Sequence, residues 1–271
     1  MQPLQSEIIA ALQVQPVIDP AAEIQRSVTF LQEFLRANLQ YKSLVLAVSG
    51  GQDSTLVGRL ARLAIDGMAD DDYRLIAIRQ PYGVQQDEGD AQQALDFIQP
   101  DLVVETNIQA ATDAMTASLR AAGLTVDDMS RGSIKPKMRM IAQYAVAREH
   151  AGVVLGTDHA SEAFAGFFTK YGDGGTDVNP IWRLNKRQGR ALLVELGAPA
   201  NLYEKTPTAD LEDDRPQLAD EVALGLTYDQ IDDYLEGKEV STVVAEKIAQ
   251  HYLTSEHKRH LPATIYDSWW R

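Results

Sequence analysis

A glycine turn set between an apolar run and a periodic segment constrains the fold of this chain more than any other feature. The apolar run is Leu44 to Val48, the turn covers residues 49–54 with the sequence SGGQDS, and the periodic segment is Thr55 to Ile65. A short apolar run of this kind is typical of a buried strand, and the later spacing is typical of an amphipathic helix. The sequence therefore predicts a strand, a tight turn and the start of a helix.

The turn has the composition of a phosphate-binding loop. Helix starts leave amide N–H groups unpaired and carry the positive end of the helix dipole, and Gly50 and Gly51 have no Cβ atom to keep a phosphate away. Ser49 and Ser54 add hydroxyl donors, and Asp53 offers a carboxylate to a hard cation such as Mg²⁺. A Walker loop is longer and carries a lysine after its glycines, so γ-phosphoryl transfer of that type is disfavoured. An ordinary strand-to-helix turn is the alternative interpretation.

Strand and helix patterns alternate along the chain as far as Leu155. We expect strands at Leu75 to Ile78, Leu102 to Val104 and Val153 to Leu155, with helices near Glu88 to Gln99, Gln109 to Ala122 and Lys137 to His150. This alternation predicts an α/β fold with a doubly wound, mostly parallel sheet flanked by helices. Because ligands of such sheets lie beyond the carboxyl ends of the strands, residues 49–54, 79–83 and 156–159 are expected to form one nucleotide pocket.

Three further patterns predict local structure around this sheet. Helical spacing before the first strand predicts an amphipathic scaffold helix built on Ile24, Val28, Leu31, Leu35 and Leu39. Thr227 is followed at the right spacing by a glutamine, which predicts a capping box ahead of two C-terminal helices. The glycine-rich residues 170–177 and the stretch from Pro199 to Pro216 predict long loops, which are typical of lids over a site.

Composition excludes several classes of function. The formal charge is −14, from 25 basic and 39 acidic residues, which argues against a protein that holds nucleic acid by neutralising phosphates. The chain has no cysteine, which excludes disulfides, thiolate zinc sites, iron–sulfur clusters and cysteine nucleophiles. Its first basic residue is Arg26, and no apolar run approaches membrane-spanning length. We therefore expect a cytoplasmic protein without membrane or nucleic-acid partners.

Several charged residues are candidates for a site, and each has an ordinary alternative. Glu162 could join Asp53 around one Mg²⁺, although such an acid is usually solvated surface. Lys170, Asp173 and Asp177 lie in residues 166–177, which include four glycines, and this suits either close contact with a ligand or a plain flexible loop. A basic cluster that could focus an anionic substrate is formed by Arg131, Lys135, Lys137 and Arg139, and Pro136 is expected to open the helix beside it.

Taken in order, the motifs of this chain resemble those of a known enzyme family. Residues 49–54 resemble the SGGxDS pyrophosphate loop of the ATP pyrophosphatases, and six later stretches look like ammonia-dependent NAD synthetase: QPYGVQ at 80–85, GTDHA at 156–160, GFFTKYGDGG at 166–175, LNKRQG at 184–189, TPTADL at 206–211 and TSEHKR at 254–259. The resemblance spans nearly the whole chain. No single later motif identifies the family, but their order and spacing after the pyrophosphate loop do.

The resemblance implies a fold, a reaction and an organisation. It implies an adenine nucleotide alpha hydrolase-like fold in a single domain, 1–271, with helical terminal extensions and lid loops near 81–88 and 204–226. The implied reaction is the ATP-dependent amidation of deamido-NAD through an adenylate, with Mg²⁺ as cofactor, giving NAD, AMP and pyrophosphate. Glutamine-dependent relatives carry an amidase domain with a cysteine nucleophile that this chain lacks, so free ammonia is the implied donor. The family is homodimeric, with deamido-NAD bound across the interface.

The resemblance also implies residue roles. Asp53, Asp173 and Lys186 would be catalytic, with Asp173 a candidate to deprotonate ammonium, and Asp53 with Glu162 would hold Mg²⁺. ATP would be bound by Ala47, Val48, Ser49, Gly50, Gly51, Gln52, Asp53, Ser54, Arg79, Thr157, Lys186 and Thr208. Deamido-NAD would be bound by Lys137, Arg139, Lys170, Asp177, His257 and Lys258.

One departure from the family pattern and two rival functions stay open. Residues 135–140 read KPKMRM where the family pattern is Lys-Ala-Arg-x-Arg-Met, so Lys137 replaces an arginine that contacts deamido-NAD. Lysine keeps the charge but loses the bidentate fork, and Arg139 could take the contact. The rivals are another ATP pyrophosphatase, such as the synthetase half of GMP synthetase or a tRNA-modifying enzyme, and a nucleotide-binding regulatory protein without chemistry.

Overall fold

A parallel sheet of four strands organises the structure, a computed structural model that describes residues 3–68, 72–84, 88–208, 214 and 218–270. The strands are β1 (Ser43–Ala47), β2 (Arg74–Arg79), β3 (Leu102–Glu105) and β4 (Gly152–Val154). Their order across the sheet is β3-β2-β1-β4, and Val45 of β1 pairs with Ile76 on one side and Val154 on the other. The four predicted strands and their parallel arrangement are confirmed, with ends that differ by a residue or so.

Twelve α-helices and one 3-10 helix lie in the described ranges and surround this sheet. They are α1 (Pro3–Leu12), α2 (Pro20–Ala37), α3 (Gln52–Asp66), α4 (Glu88–Ile98), α5 (Gln109–Ala121), α6 (Asp128–Glu149), α7 (Ala160–Ala163), α8 (Lys186–Glu195), α9 (Asn201–Glu204), α10 (Asp220–Leu224), α11 (Tyr228–Leu235), α12 (Thr242–Thr254) and the 3-10 helix Glu256–Arg259. In the described part of the chain, no helix is long and apolar enough to cross a membrane.

The main core forms between the sheet and α2, α3 and α8. Leu31 and Leu35 of α2 are fully buried there, as the helical spacing predicts. Leu39, the last residue of that pattern, is 68% exposed because α2 ends at Ala37. Burying each large aliphatic side chain contributes roughly 1.5–3 kcal/mol, so this face fixes α2 on the sheet as scaffold.

A second core joins the two ends of the chain. Ile8 and Leu12 of α1 pack with Ile231 of α11 and Ile248 of α12, all nearly fully buried. The capping box predicted at Thr227 is present at the start of α11. The first helix of the chain is thus packed against α11 and α12 from near its other end.

Helix α6 begins earlier than the sequence predicts. Pro136 was expected to open a helix at Lys137, but α6 starts at Asp128 and contains Pro136. The side chain of Asp127 caps the helix by accepting a hydrogen bond from the backbone N–H of Ser130 at 2.8 Å. Burial of Ile134 and Pro136 offsets the backbone hydrogen bond that proline cannot make, so the helix continues through it.

The loops at the carboxyl ends of β1 and β4 position the candidate site. Strand β1 has β2 at one edge and β4 at the other. The chain runs from β1 to β2 and β3 in one direction across the sheet and then returns to β4, so the strand order reverses between β1 and β4. Adjacent loops diverge at such a point and leave a crevice for a ligand. Of the predicted lid loops, residues 85–87, 209–213 and 215–217 lie outside the described residues, and α10 lies within the 204–226 segment.

Candidate active site

A cleft of about 580 Å³ opens at the reversal of strand order between β1 and β4. Residues from the glycine turn, the β2 and β4 loops, α8, α10 and the 3-10 helix surround it. Fourteen of the predicted site residues line this cleft: Ala47, Val48, Ser49, Gly51, Gln52, Asp53, Ser54, Arg139, Thr157, Glu162, Asp173, Lys186, Thr208 and Lys258. Sequence motifs far apart in the chain are therefore brought to one place.

The glycine turn has a backbone that only glycine accommodates. Gly50 has φ +87°, and a Cβ there would lie 2.7 Å from the backbone nitrogen of Ala91. Gly51 is the N-cap of α3, and its backbone N–H donates to Ser49 Oγ at 3.2 Å. Ser49 Oγ and Ser54 Oγ lie 3.1 Å apart across the turn. The turn therefore presents hydroxyl groups and the first amides of α3 to the cleft, as a phosphate site requires.

An ion pair joins the start of α3 to the start of α8. Lys186 Nζ donates to Asp53 Oδ2 at 2.7 Å, and Lys186 also lies over the ring of Tyr228, 5.0 Å from its centre. Burial opposes the ionisation of both groups, but their mutual attraction lowers the pKa of Asp53 and raises that of Lys186. Both side chains are therefore charged, and Lys186 is held at a fixed place in the cleft.

The start of α8 is fixed by Asp232 of α11, which explains the position of Lys186. The buried carboxylate of Asp232 accepts from the backbone N–H of Arg187 at 2.8 Å and from Ser161 Oγ at 2.6 Å. Asn185 caps the same helix in a capping box with Gln188. A carboxylate and a capping box together satisfy the amides at this helix start and complement its dipole.

Asp53, His159 and Glu162 form a cluster that could hold a cation. Their potential ligand atoms lie within 4.8 Å of one another, and His159 Nε2 is 3.5 Å from Asp53 Oδ1 and from Glu162 Oε1. Burial would lower the pKa of His159, but the Glu162 and Asp53 carboxylates raise it to about 10, so the imidazole is protonated at neutral pH. Within the described ranges, both ring nitrogens are buried and have no hydrogen-bond partner. The converging carboxylate oxygens of Asp53 and Glu162 are the ligand type that a hard cation such as Mg²⁺ prefers.

Three buried residues of the site carry no individual role in the sequence-based predictions, although residues 156–159 were expected in the pocket. They are Asp158, His159 and Asp220, each less than a tenth exposed. Asp220 Oδ2 accepts from the hydroxyl of Tyr228 at 3.1 Å, and burial, with the charge of Glu162, raises its pKa to about 6. The two residues of the β4 loop lie in the quoted GTDH stretch and could have been selected, whereas nothing local to Asp220 indicates burial.

Two predicted ATP-binding residues lie outside the lining of the cleft. Arg79, at the end of β2, is buried and forms ion pairs with Glu88 and, at 3.6 Å, with Glu105. It lines a separate shallow groove between α4 and β3. Gly50 lies on the side of the turn that faces the start of α4, away from the cleft. The other predicted ATP-binding residues, which include Thr157 and Thr208, line the cleft.

The predicted deamido-NAD residues divide into two groups. Arg139 and Lys258 line the cleft; Arg139 Nε donates to the backbone oxygen of Gln80 at 3.2 Å, and Lys258 Nζ donates to the carbonyls of Gly166 and Phe168, each at 2.7 Å. The four others lie outside its lining: Lys137 donates to the carbonyl of Ser133, Lys170 donates to that of His257, and Asp177 accepts from Tyr144 and the backbone of Val154.

The fold and the cleft define a class of protein. A parallel sheet with a phosphate-type glycine turn at its reversal of strand order is the adenine nucleotide alpha hydrolase-like arrangement. The family model described as NAD synthase matches residues 23–262, so the chain belongs to that family.

The chain is also similar to individual proteins, in sequence and in structure. The chain is 58% identical to the NH(3)-dependent NAD(+) synthetase of Latilactobacillus sakei, with all of both chains covered. It resembles the crystal structure of NAD+ synthetase from Burkholderia pseudomallei with a TM-score of 0.81 and 46% identity, covering 95% of this chain and 96% of that one. It also resembles the NMN synthetase of Francisella tularensis, with a TM-score of 0.82, 31% identity and coverage of 93% and 100%.

Proposed function

We propose that this protein amidates deamido-NAD to NAD with ammonia and ATP, through an adenylate, releasing AMP and pyrophosphate. The observation that carries the proposal is the cleft, where a phosphate-type turn meets the Asp53–Lys186 pair. It is supported by the similarity to the NH(3)-dependent NAD(+) synthetase of Latilactobacillus sakei, which is 58% identical over the whole chain. Membership of the family favours this reaction over the rival ATP pyrophosphatases and over a regulatory protein without chemistry.

In the first step, the nicotinate carboxylate attacks the α-phosphate of ATP and pyrophosphate leaves. The amides at the start of α3 and the hydroxyls of Ser49 and Ser54 suit binding of the leaving pyrophosphate. Lys186, paired with Asp53 of the turn at 2.7 Å, supplies a fixed positive charge beside it. Preorganised charges of this kind stabilise the negative charge that develops on the phosphate oxygens, and the step needs little acid–base chemistry.

Mg²⁺ is proposed as the cofactor, with Asp53 and Glu162 as its carboxylate ligands. The support is the cluster they form with His159 and the fit of their oxygens to a hard cation. Mg²⁺ bound there would neutralise charge on the phosphates of ATP. Lys186, paired with Asp53 at 2.7 Å, brings further positive charge to the same corner.

Ammonia is proposed as the nitrogen donor because the chain has no cysteine for an amidase reaction with glutamine. In the second step the nitrogen attacks the adenylate carbonyl, and AMP leaves. Asp173 remains the candidate to deprotonate ammonium: it lines the cleft from the glycine-rich loop and accepts the backbone N–H of Thr169 at 3.1 Å.

A homodimer is proposed, with deamido-NAD bound across its interface. Apolar side chains are exposed on β3, α5, α6 and the connection between the two helices: Leu102, Val103, Met115, Leu124, Met129 and Ile141. Helix α5 buries only Thr112 and Thr116 within the chain, so its apolar residues need another partner. Exposed apolar side chains in such number are typical of an interface. A substrate shared between two chains would also account for Lys137, Lys170 and His257 lying outside the cleft of one chain.

The NMN synthetase similarity supports a second candidate substrate, nicotinic acid mononucleotide. It offers the same pyridine carboxylate without the adenylate half, and its amidation would use the same adenylation chemistry. The 31% identity to that protein is well below the 58% to the NAD synthetase relative, so deamido-NAD is the first choice.

A cytoplasmic location and the absence of a nucleic-acid partner stay predictions.

The test is a reconstituted reaction with Mg²⁺, ATP and ammonium, in which nucleotide products and pyrophosphate are separated and measured. We expect NAD from deamido-NAD, no NAD when glutamine replaces ammonium, and loss of activity in Asp53→Ala. A parallel reaction with nicotinic acid mononucleotide compares the kcat/KM of the two acids. Pyrophosphate release only with an unrelated acid would contradict the proposal.

A further inference from the structure

One basic side chain of the cleft has no role in the proposed function. Within the described ranges, four lysine and arginine side chains line the cleft: Arg139, Lys186, Lys205 and Lys258. Lys186 is assigned to the phosphates of ATP, and Arg139 and Lys258 are assigned to deamido-NAD. Lys205 is the residue that follows α9. Because lysine is a common ligand of phosphate groups, its place in a nucleotide cleft needs an explanation.

The fold holds the backbone on both sides of Lys205. Leu202 of α9, three residues before it, is fully buried in the main core. Two residues after it, the carbonyl of Pro207 accepts a hydrogen bond from the backbone N–H of Asp220 at 3.1 Å. The backbone of Lys205 therefore stays beside the cleft, whereas its four-carbon side chain is flexible enough to change partners.

The side chain of Lys205 ends close to the glycine turn. Its Nζ lies 2.8 Å from Oδ2 of Asp90, in the first turn of α4. The backbone of Asp90 packs against the turn, since a Cβ built on Gly50 would lie 2.9 Å from the carbonyl carbon of Asp90. The ammonium group of Lys205 is thus separated by a single aspartate side chain from the turn that is proposed to bind pyrophosphate.

The ion pair between Lys205 and Asp90 is weak enough to be exchanged for a ligand. Their side chains are 28% and 33% exposed, and a pair this accessible to water shifts an equilibrium by about fivefold at most. The triphosphate of ATP carries several negative charges, whereas Asp90 carries one. A nucleotide bound at the glycine turn therefore competes well for this lysine.

We propose that Lys205 leaves Asp90 when ATP binds and contacts the β and γ phosphates, which depart as pyrophosphate. The inference rests on the proposed function and adds a second lysine to the phosphate site. Lys186 is held in place by Asp53 at 2.7 Å, whereas Lys205 reaches the phosphates only when ATP is bound. Asp90 acts in the free protein as a competing anion. AMP lacks both of these phosphates and does not engage Lys205.

Direct binding tests the contact without any turnover. Calorimetry on the full-length protein with Mg²⁺, and without an acid substrate, gives the Kd of ATP, of pyrophosphate and of AMP. We expect Lys205→Gln to raise the Kd of ATP and of pyrophosphate by about tenfold or more, the effect of losing a hydrogen bond between charged groups. The Kd of AMP should not change. An unchanged Kd of pyrophosphate, or an equal loss for AMP, would overturn the inference.

Asp90→Asn distinguishes an exchange of partners from a structural ion pair. Because Asp90 competes with the phosphates for Lys205, the substitution should lower the Kd of ATP by about two- to fivefold, the strength of a partly exposed pair. In the Lys205→Gln background, Asp90→Asn should leave the Kd of ATP unchanged. Weaker ATP binding in both single variants, or a gain that persists in that background, would overturn the exchange.

Arg190→Gln is the matched control, because it breaks another ion pair that holds α9. Arg190 lies outside the lining of the cleft and pairs at 3.2 Å with Glu204, the neighbour of Lys205. We expect Arg190→Gln to bind ATP and pyrophosphate like the wild type, and a loss equal to that of Lys205→Gln would overturn the inference. Failure of the wild type to form NAD would refute the proposed function, whereas the Kd of pyrophosphate decides the role of Lys205 by itself.

Discussion

At the scale of single residues, Asp220 links the cleft to the pH dependence of stability. The pKa of its carboxyl is raised from 3.8 to about 6, first by burial and then by the charge of Glu162. The folded protein therefore holds this proton more tightly than the unfolded chain does. The group stabilises the fold fully below about pH 4, and this contribution to the free energy of unfolding is lost as the pH rises to about 6.

Asp220→Asn should remove this pH dependence. Its amide oxygen can still accept from Tyr228, but the side chain no longer ionises. We expect the stability of the variant relative to wild type to increase between pH 4 and pH 6, by at most about 3 kcal/mol. Urea unfolding of the ligand-free proteins at several pH values measures the difference. A difference that does not change with pH would show that Asp220 ionises normally in the folded protein.

Lys186→Gln should separate charge from packing at the centre of the site. The glutamine keeps much of the side chain but removes the positive charge that pairs with Asp53 at 2.7 Å. Loss of a preorganised charge next to the reacting phosphate typically lowers kcat by about 10²–10³-fold, and we expect an effect of this size on adenylation. Pyrophosphate exchange measures it, with Lys238→Gln, at a surface ion pair, as the control. A change in the KM for ATP with normal kcat would mean that Lys186 only binds ATP.

The site residues that the sequence could predict are charged side chains that lie within a recognisable motif. Asp53, Glu162 and Lys186 were selected because their types fit a phosphate and a cation, and the fold brings them together in one cleft. Asp220 and Tyr228 could not be selected, since their burial depends on the packing of α10 and α11 against the cleft. Arg79 lies beside a motif and yet pairs with Glu88 and Glu105, which no local pattern specifies.

At the scale of elements, the contact between the glycine turn and α4 makes Gly50 irreplaceable. Gly50 and Gly123 both have φ +87°, but only Gly50 has backbone atoms where a Cβ would stand. Alanine in the left-handed region costs roughly 1–2 kcal/mol at either position. At Gly50 the clash with Ala91 adds to this cost and must move α4 or the turn.

The matched pair Gly50→Ala and Gly123→Ala therefore isolates the contact from the backbone strain. We expect Gly123→Ala to lower the free energy of unfolding by roughly 1–2 kcal/mol with normal kinetics. We expect Gly50→Ala to lose more stability and to raise the KM for ATP, because the phosphate turn is displaced. Chemical unfolding and steady-state kinetics measure both. Equal effects in the two variants would mean that the turn and α4 can shift without consequence.

Element boundaries depend on tertiary packing, which the sequence pattern does not contain. The strands were predictable because each is a short apolar run. Helices bury β1 and β2, whereas β3, at the edge of the sheet, is largely exposed. The start of α6 was not predictable from the sequence. A local preference places proline in the first turn of a helix, but α6 contains Pro136 in its interior. The cap at Asp127 and the burial of Ile134 and Pro136 stabilise the helix on both sides of the proline. In α6, the burial of these side chains outweighs the local preference of proline for the first helical turn.

At the scale of the whole molecule, the exposed apolar face around α6 should hold two copies of the chain together. Ile141 on α6 and Val194 on α8 are both 54% exposed, but only Ile141 lies on the proposed interface. A buried glutamate without a partner is costly, so we expect Ile141→Glu to dissociate the dimer and Val194→Glu to leave it intact. Sedimentation velocity should show wild type at twice the 29.9 kDa chain mass and Ile141→Glu at the chain mass. Because deamido-NAD is proposed to bind across the interface, the KM for deamido-NAD should rise in Ile141→Glu while the KM for ATP changes little. A monomeric wild type, or a dimer that survives Ile141→Glu, would exclude this face as the interface.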